Sequence, residues 1–463
     1  MLLSALGTSI ANVALPTLAQ AFSASFQQVQ WIVLAYLLAI TTLIVSVGRL
    51  GDIAGRKRLL LVGLLLFTLA SGLSGAAPTL SLLIVARAAQ GLGAAIMMAL
   101  TMAFVGEVVP KARTGSAMGL LGTMSAVGTA LGPSLGGVLI AEFGWRAIFL
   151  VSVPLGLLAF LLAYRFLPAD RPVDAGAPKT ERARFDHLGT LLLAGTLAAY
   201  ALAMTMGRGH FGRLNLALLA AAALGGGLFV LSQAKVASPL IRLAAFRDAV
   251  LSSSLGMNAL VSTVMMATLV VGPFYLSRAI GLGAAEVGIV MSIGPIVSAL
   301  SGVIAGPVVD RFGASFMVIA GLIGMTAGSL ALSALPGIFG VAGYIAAIAI
   351  LTPGYQLFQA ANNTAVMMDV RPDQRGVVSG LLNLSRNLGL VTGASAMGAV
   401  FALASAASDI TTTDITAAHP EAIAAGMRIT FAVAAALIVA ALALAIGNRA
   451  LATRALGSPF LKS

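Results

Sequence analysis

The stretch that decides the fold is GSAMGLLGTMSAVGTALGPSLGG, residues 115–137. It is apolar but too rich in glycine for an ordinary buried helix. Three of its glycines are spaced four residues apart and therefore lie along one side of a helix: Gly128, Gly132 and Gly136. Gly119 and Gly137 share a different side, and Pro133 lies between. In lipid, small residues at this spacing let helix backbones approach closely, and neighbouring helices tolerate a proline bend.

A close echo of this stretch follows at residues 376–398, GVVSGLLNLSRNLGLVTGASAMG. At an offset of 261 residues, five glycines of the first copy coincide with Gly376, Gly380, Gly389, Gly393 and Gly398. Pro133 becomes Ala394, and Gly136 becomes Met397. We therefore predict two related halves, of which only the first has a proline-bent helix.

Composition predicts an all-α integral membrane protein. The chain has 463 residues, of which 59% are hydrophobic and only 9% are charged, whereas soluble domains carry roughly a quarter charged residues. Apolar runs of about 20 residues without alternation favour membrane helices over barrel strands. The net charge of +12 does not indicate a nucleic-acid partner, because the basic residues are dispersed between apolar runs. We expect the lipid bilayer as the partner.

The residue types also exclude several kinds of chemistry. The chain has no cysteine, and its three histidines lie outside the apolar runs. Disulfides and thiolate metal sites are thus excluded, and we expect no metal and no cofactor. No convergent set of His, Asp, Glu and Ser indicates an enzyme. A membrane sensor would need a soluble output domain, and the longest polar segment is too short for one.

Hydropathy predicts about fourteen spans: 2–22, 29–47, 59–76, 80–106, 115–140, 147–167, 188–206, 214–233, 250–275, 285–308, 315–334, 338–366, 377–403 and 424–447. Two of them have no counterpart in the repeat. We therefore predict two six-helix bundles with two inserted helices between them. The predicted segments are an N-terminal bundle 1–167, a linker 168–187, the inserted helices 188–234, a linker 235–249, a C-terminal bundle 250–447 and a tail 448–463.

Basic residues predict the orientation. Fourteen spans place both termini on one side, together with most lysines and arginines. The opposite side would hold only Arg146, Arg208, Arg213, Arg278 and Arg428. Both termini are thus expected in the cytoplasm, and the protein in the plasma (inner) membrane.

Two short loops carry a repeated motif. The first contains Gly48, Asp52, Gly55 and Arg56, and at an offset of 258 residues it recurs with Gly306, Asp310, Arg311 and Gly313. Glycine permits a tight turn, and a carboxylate beside a basic cluster can latch neighbouring helices. We interpret both loops as cytoplasmic gates. A plain solvated turn is the alternative.

Two arginines fall inside spans. Arg87, with Gln90 one turn on and Gly91 beside it, lies in LLIVARAAQGLG, and Arg386 lies in the second glycine-rich stretch. Charges within a span normally face the bundle interior or a water-filled cavity. The alternative for Arg87 is an arginine that extends to the nearer membrane surface.

These residues resemble the major facilitator superfamily, and within it the fourteen-span drug:proton antiporter branch. The loop at 48–60 is similar to that family's loop between spans two and three, and Arg87, Gln90 and Gly91 match its span-four motif. The most specific match is the span-five antiporter motif: Gly119, Gly128, Gly132, Pro133, Gly136 and Gly137. The resemblance covers essentially the whole chain. It implies alternating access of a central cavity and proton antiport.

One departure concerns the coupling site. The family's span-one motif usually carries an aspartate, where alignment on Ala14, Leu15 and Pro16 places Gly7. No Asp or Glu lies near the middle of any predicted span. Glu142 and Glu286, near the outer ends of their spans, are the candidates for proton coupling, and simple interfacial carboxylates are the alternative.

Polar side chains that interrupt apolar spans are candidates for the cavity wall: Asn12, Tyr36, Asn258, Gln356, Asn362 and Arg386. Such side chains either join helices or face a pathway. The function expected is proton-driven export of small lipophilic or amphipathic compounds, by a monomer. The alternative is a transporter of one endogenous metabolite that is not proton-coupled through a central carboxylate. The substrate is a small molecule in either case.

Overall fold

The structure is a computed structural model that describes residues 1–108, 114–167, 186–206, 212–236, 239–240, 243, 246, 248–368, 375–408 and 418–456. Within these residues the chain is helical and has no strand. The α-helices are α1 Leu2–Val13, α2 Leu15–Ala21, α3 Phe26–Ala54, α4 Arg56–Ala76, α5 Leu80–Val108, α6 Thr114–Phe143, α7 Ala147–Leu150, α8 Ser152–Phe166, α9 His187–Thr205, α10 Arg213–Lys235, α11 Ala249–Phe274, α12 Ala284–Phe312, α13 Ala314–Met368, α14 Arg375–Thr392, α15 Gly398–Ser408 and α16 Pro420–Leu456. Two π-helical segments, Tyr275–Ala279 and Gly393–Met397, extend α11 and join α14 to α15.

The helices have the length and hydropathy of membrane spans. In the described part of the chain, eleven are long and apolar enough to cross a membrane, and twelve if the bent pair α1–α2 is one span. The 30-residue helix α6 and the break within α13 account for the rest of the predicted fourteen. Large apolar side chains point outward, for example Val303, which is 78% exposed. Such a surface is stable in lipid and not in water.

Two breaks differ from the predicted spans, and each has a backbone cause. The first span bends by 60° between α1 and α2, since Pro16 in the first turn of α2 lacks the N–H that would continue the helix. The predicted break between residues 334 and 338 lies instead at Gly340, with φ 54° and ψ −128°. Only glycine adopts such a conformation without strain, whereas Pro336 is accommodated inside the helix.

Each half packs around the same helix pairs. In the first half, α1 lies against α6, and α5 lies against both α3 and α4. In the second, α11 lies against α14, α12 against α13, and α16 against α13 and α15. The inserted helices α9 and α10 pack on each other, and α9 also contacts α3. The Trp31 indole N–H donates to Thr205 Oγ1 (3.0 Å), and the hydroxyls of Ser46 and Thr190 are 3.2 Å apart.

The helix ends define two faces of the molecule. The Gly55 face contains the turns at Gly55 and Gly313, and the Gly144 face contains the turn at Gly144 and residues 22–25 and 280–283. Contacts between distant helix ends agree with this division. Lys57 Nζ donates to the Leu167 carbonyl at the Gly55 face (2.6 Å), and the rings of Phe22 and Trp145 meet at the Gly144 face, 5.2 Å apart.

Candidate functional site

A cavity of about 390 Å³ lies at mid-depth between the two halves. The first half contributes α6 to its wall, and the second contributes α11, α12, α13 and α14. Its lining residues are Ser125, Thr129, Ser262, Met265, Thr268, Leu269, Val290, Met291, Gly294, Pro295, Ser298, Tyr344, Ile348, Thr352, Tyr355, Gln356, Gln359, Arg386 and Leu390. Apolar walls with a few polar groups are typical of small-molecule sites.

The repeat places equivalent residues of the two halves on the wall of the same cavity. At the offset of 261 residues, Ser125 corresponds to Arg386 and Thr129 to Leu390, and all four line the cavity. The same helix face therefore borders the cavity in both halves, but it carries a hydroxyl in the first half and a guanidinium in the second.

Gly128, Gly132 and Gly136 form a glycine row along α6, and this row lets α6 pack closely on α1 of its own half. A Cβ built at Gly132 would lie 2.6 Å from Ser9 Cβ, and one at Gly136 would lie 2.9 Å from Ile10 Cγ1. Ser9 Oγ donates across this contact to the Gly128 carbonyl (3.3 Å). The row thus faces its own half and not the opposite bundle. Pro133 lies inside α6, and the surroundings of Gly119 lie outside the described residues.

The other side of α6 meets the second half. A Cβ built at Gly137 would lie 2.7 Å from the Ala284 carbonyl oxygen and 2.9 Å from Gly288 Cα on α12. The Pro133 carbonyl borders Gly288 in the same contact. Gly137 therefore lies on a different side of α6 from Gly128, Gly132 and Gly136, and its side forms a seam between the halves near the Gly144 face.

A second seam near the Gly144 face joins α3 to the second half. Gln30 Nε2 donates to the Ala394 carbonyl (2.9 Å). The Phe26 ring lies edge-on to Phe274 and Phe401, with centroid distances of 4.7 and 5.4 Å. All three rings are fully buried. The halves are thus closely packed between the cavity and the Gly144 face.

Arg87 lies inside the first half and does not line the cavity. Its Nε donates to the Ile32 carbonyl on α3 (3.0 Å), and its Nη1 donates to Gln90 Oε1 (2.5 Å). Gln90 Nε2 donates in turn to Ser71 Oγ on α4 (2.7 Å). The guanidinium also lies 4.1 Å from the centroid of the Tyr36 ring. Arg87 is 0% exposed, so it does not reach a membrane surface. It joins α3, α4 and α5.

Gly91 and Tyr36 belong to the same contact between helices. A Cβ at Gly91 would lie 2.9 Å from Ala39 Cβ and 3.0 Å from Tyr36 Cα. Tyr36 Oη donates to the Ser4 carbonyl on α1 (2.9 Å). Close packing of α3 on α5 therefore requires glycine at position 91.

Two of the six candidate wall residues line the cavity, Gln356 and Arg386. Gln356 Nε2 is hydrogen-bonded to Ser298 Oγ. The other four are buried elsewhere: Asn12, Tyr36, Asn258 and Asn362. Asn258 Nδ2 donates to the Leu382 carbonyl (2.9 Å) and joins α11 to α14, and Asn12 Nδ2 donates to the Thr8 carbonyl of its own helix (2.9 Å). Asn362 has no hydrogen-bond partner among the described residues.

Glu142 and Glu286 are both exposed at the Gly144 face, away from the cavity. Glu286 accepts from the Gly283 backbone N–H (2.9 Å) and caps the start of α12. Of the described residues that line the cavity, none is acidic.

The two repeated loops adopt the same turn. Gly55 has φ 91° and Gly313 has φ 86°, and each ends a helix. A Cβ at Gly306 would meet no atom within 4 Å. Asp310 and Arg311 are exposed, and Arg311 lies 5.4 Å from the centroid of the Phe312 ring. Arg56 is half-buried at the start of α4. The surroundings of Gly48 and the side chain of Asp52 lie outside the described residues.

Sequence reasoning missed most of the polar wall, which consists of Ser125, Thr129, Ser262, Thr268, Ser298 and Thr352. Hydroxyl side chains are common in membrane helices, where they bond to their own backbone, so they carry no signal singly. The repeat did carry a signal for Ser125, because this residue aligns with Arg386, which was a candidate for the cavity wall.

An all-helical membrane protein with two related halves around a central cavity is the architecture of a secondary transporter. The chain belongs to the Major Facilitator Superfamily, whose family model matches residues 1–394. It is therefore a multi-pass membrane transporter of small molecules and not an enzyme.

Relatives in this superfamily transport different compounds. The chain is 31% identical over 402 residues to the riboflavin transporter RibZ of Clostridioides difficile, covering 86% of each protein. It is 30% identical over 405 residues to the multidrug efflux pump LfrA of Mycolicibacterium smegmatis, covering 87% of this chain and 79% of LfrA. Among solved structures, it superposes on a bacterial homologue of the lysosomal transporter Spinster with a TM-score of 0.69 at 16% identity, over 96% of this chain and 93% of the other.

Proposed function

We propose that this transporter exports small lipophilic or amphipathic compounds by alternating access, driven by the proton gradient. The observation that supports it is the mid-depth cavity below two closely packed seams at the Gly144 face. A cavity that is closed toward one side by side-chain and backbone contacts can open there if the halves rock apart. The multidrug efflux pump LfrA, at 30% identity, supports the substrate class.

In the proposed cycle, the seams part and the loops at the Gly55 face come together. As the cavity opens to the Gly144 side, the Phe26 ring would separate from Phe274 and Phe401, and the hydrogen bond from Gln30 to the Ala394 carbonyl would break. Asp52 and Asp310, with the neighbouring Arg56 and Arg311, would latch the Gly55 face in that state. Asp310 is exposed here and has no bond to a described residue, so it is available for such a latch.

The distribution of basic residues supports the orientation. We place the Gly55 face and both termini in the cytoplasm, because that side carries most lysines and arginines. The membrane would be the plasma (inner) membrane. The transporter would act as a monomer, without a nucleic-acid partner, through the N-terminal bundle 1–167 and the C-terminal bundle 250–447.

Proton coupling has two candidate residues. Glu142 and Glu286 lie on the two helices of the α6–α12 seam, near its Gly144 end. A carboxylate there would change its surroundings when the seam opens and closes, which is what coupling requires.

A second candidate function is the transport of one endogenous metabolite. The relative RibZ, a riboflavin transporter, supports it. The wall of the cavity also supports it. A site for cationic drugs would use a carboxylate, and none of the described wall residues carries one.

Collapse of a pH gradient in inverted vesicles, across a panel of lipophilic compounds, distinguishes the two functions. We expect several unrelated compounds to collapse the pH gradient. Collapse by a single compound favours the metabolite transporter. Transport at the same rate with and without a pH gradient contradicts proton-driven export.

Proteoliposomes with Glu142→Gln and Glu286→Gln test the coupling residues. The matched control is Glu421→Gln, an exposed carboxylate at the start of α16 on the same face. Loss of substrate-induced proton flux in one or both variants but not in the control is expected. Normal flux in both excludes these two residues.

A further inference from the structure

We propose that the cavity takes amphipathic organic anions, in which one acidic group pairs with Arg386 and an apolar, ring-containing body fills the rest. This inference rests on the proposed function, whose substrate class it narrows.

Arg386 is the one charged residue among the described residues of the cavity wall. It lies on α14, well inside a membrane span. No hydrogen bond or ion pair joins its guanidinium to another described residue, and its side chain is exposed toward the cavity. A permanent charge at this depth is costly unless a partner or water compensates it. Arginine is also the side chain best suited to bind a carboxylate through two parallel bonds.

Arg87 shows what an arginine that only joins helices looks like in this protein. It is fully buried, and Nε and Nη1 both donate to protein oxygens. Its guanidinium also lies over the Tyr36 ring. Arg386 has none of these contacts with described residues. Its charge is thus available to a ligand.

A second observation comes from Ser262, which is 2% exposed and lines the same cavity. Its Oγ has no hydrogen-bond partner in the described part of the chain. A Cβ built at Gly389 would lie 2.7 Å from Ser262 Cβ, so Ser262 lies against the turn of α14 that follows Arg386. A buried hydroxyl without a partner is unfavourable, and it would donate to an acidic group held by Arg386.

The rest of the wall fits an apolar body. Met265, Leu269, Met291 and Ile348 contribute flexible or branched apolar side chains, and Tyr344 contributes an aromatic ring. Methionine adapts to irregular ligands and makes favourable contacts with aromatic rings. The volume of about 390 Å³ suits one compound of small-drug size.

The repeat indicates that the charge is particular to the second half. The equivalent position in the first half is Ser125, which lines the same cavity. A bilayer helix accepts serine at this position, so Arg386→Ser is a replacement that the protein itself already uses.

Equilibrium binding to the purified full-length protein tests the inference. The probes are naphthylacetate, naphthylacetamide and naphthylethylamine, which share one ring system and differ in charge. The wild type should bind the acid about tenfold or more tightly than either other probe, because charge-assisted bonds are about twice as strong as neutral ones. Arg386→Gln and Arg386→Ser should lose this preference, whereas Arg386→Lys should keep part of it.

The matched control is Arg213→Gln, an exposed arginine at the start of α10 and outside the cavity, which should keep the full preference. Elution as a monodisperse species shows that each variant is folded. If Arg386→Gln and Arg386→Ser do not fold, Arg386→Lys still tests the inference. Equal binding of the three probes, binding of none, or an unchanged preference in Arg386→Gln overturns the inference.

Counterflow of the same probes in proteoliposomes separates this inference from the proposed function. Counterflow of the amide or the amine that Arg386→Gln leaves unchanged contradicts the anion preference and leaves export standing. Arg386-dependent binding of the acid without counterflow of any probe supports the pairing and contradicts transport of this class.

Discussion

The two glycine-rich helices, α6 and the α14–α15 segment, pack in the same way inside their own halves but make different contacts with the opposite half. Each packs on the first helix of its own half through a hydroxyl that donates to a glycine carbonyl. Ser9 Oγ donates to Gly128 (3.3 Å), and Thr263 Oγ1 donates to Gly389 (3.1 Å). Packing inside each half therefore follows the repeat.

The contacts to the opposite half do not follow it. Position 133 in α6 and its equivalent 394 both present a carbonyl oxygen to the other half. The Pro133 carbonyl meets the backbone of Gly288, whereas the Ala394 carbonyl accepts a bond from the Gln30 side chain. The first of these contacts is backbone against backbone, whereas the second depends on a side chain that can move, although buried aromatic rings also hold that seam. The first should thus tolerate substitution less than the second.

The largest effect is expected at the glycine contact that occurs inside each half, between α6 and α1 in the first and between the α14–α15 segment and α11 in the second. Gly132→Leu and Gly393→Leu each force a side chain into an adjacent helix, since a Cβ would already lie 2.6 Å from Ser9 Cβ or Met266 Cβ. Overpacking of this kind costs about 1–3 kcal/mol or more. Transport should fall below detection in both variants, with a lower unfolding temperature.

Gly227→Leu is the control, because a Cβ at this lipid-facing position of α10 meets no atom within 4 Å. It should transport normally. Normal transport in Gly132→Leu would contradict the packing argument.

The second prediction separates the two seams. In Gly137→Ala the new methyl meets backbone atoms, 2.7 Å from the Ala284 oxygen, whereas in Gly398→Ala it meets only the Gln30 side chain. Since the chain has no cysteine, Thr352→Cys in the cavity reports opening to an impermeant maleimide added on the Gly144 side. Labelling should rise about tenfold in Gly137→Ala, equivalent to about 1.4 kcal/mol.

The rise in Gly398→Ala should be smaller, and this variant is the matched control. Equal labelling of the two variants would show that the seams do not differ in tolerance.

The third prediction concerns the repeated turns. Gly55→Ala and Gly313→Ala place a Cβ at φ 91° and φ 86°, which costs about 1–2 kcal/mol for a residue other than glycine. Thermal unfolding of the purified protein should show a similar loss in both. Gly306→Ala is helical and unobstructed, so it should be neutral or stabilising. A loss in only one turn would break the equivalence of the two loops.

The smallest effect is expected at the side-chain seam. Gln30→Met removes the bond to the Ala394 carbonyl (2.9 Å), which is worth about 0.5–1.5 kcal/mol. Labelling of Thr352→Cys from the Gly144 side should rise less than in Gly137→Ala. The exposed Gln20→Met, also near the Gly144 face, should leave labelling unchanged. A rise larger than that of Gly137→Ala would reverse the order of the seams.

Sequence reasoning predicted the fold well because long apolar runs and glycine spacing act locally. A run of about 20 apolar residues has no stable place outside a bilayer. The spacing of Gly128, Gly132 and Gly136 likewise predicted one packed side, and Gly137 a different one. Helix breaks were predicted less well, because Pro16 broke its span and Pro336 did not.

The candidate site was predicted only in part. Asn258 and Gln356 interrupt their spans in the same way in the sequence, yet Asn258 bonds to the neighbouring helix and Gln356 lines the cavity. A polar side chain in a membrane helix is favourable in either place, so residue type alone does not distinguish them.

The sequence by itself determined that this chain is a membrane-spanning, two-fold repeated helical protein, because hydropathy and glycine spacing are properties of single helices. Only the tertiary structure decided that α6 uses its glycine row for its own half and Gly137 for the other, and that Arg87 joins helices while Arg386 borders the cavity. Each of these outcomes depends on which helix packs opposite a given face, and that is a property of the whole bundle.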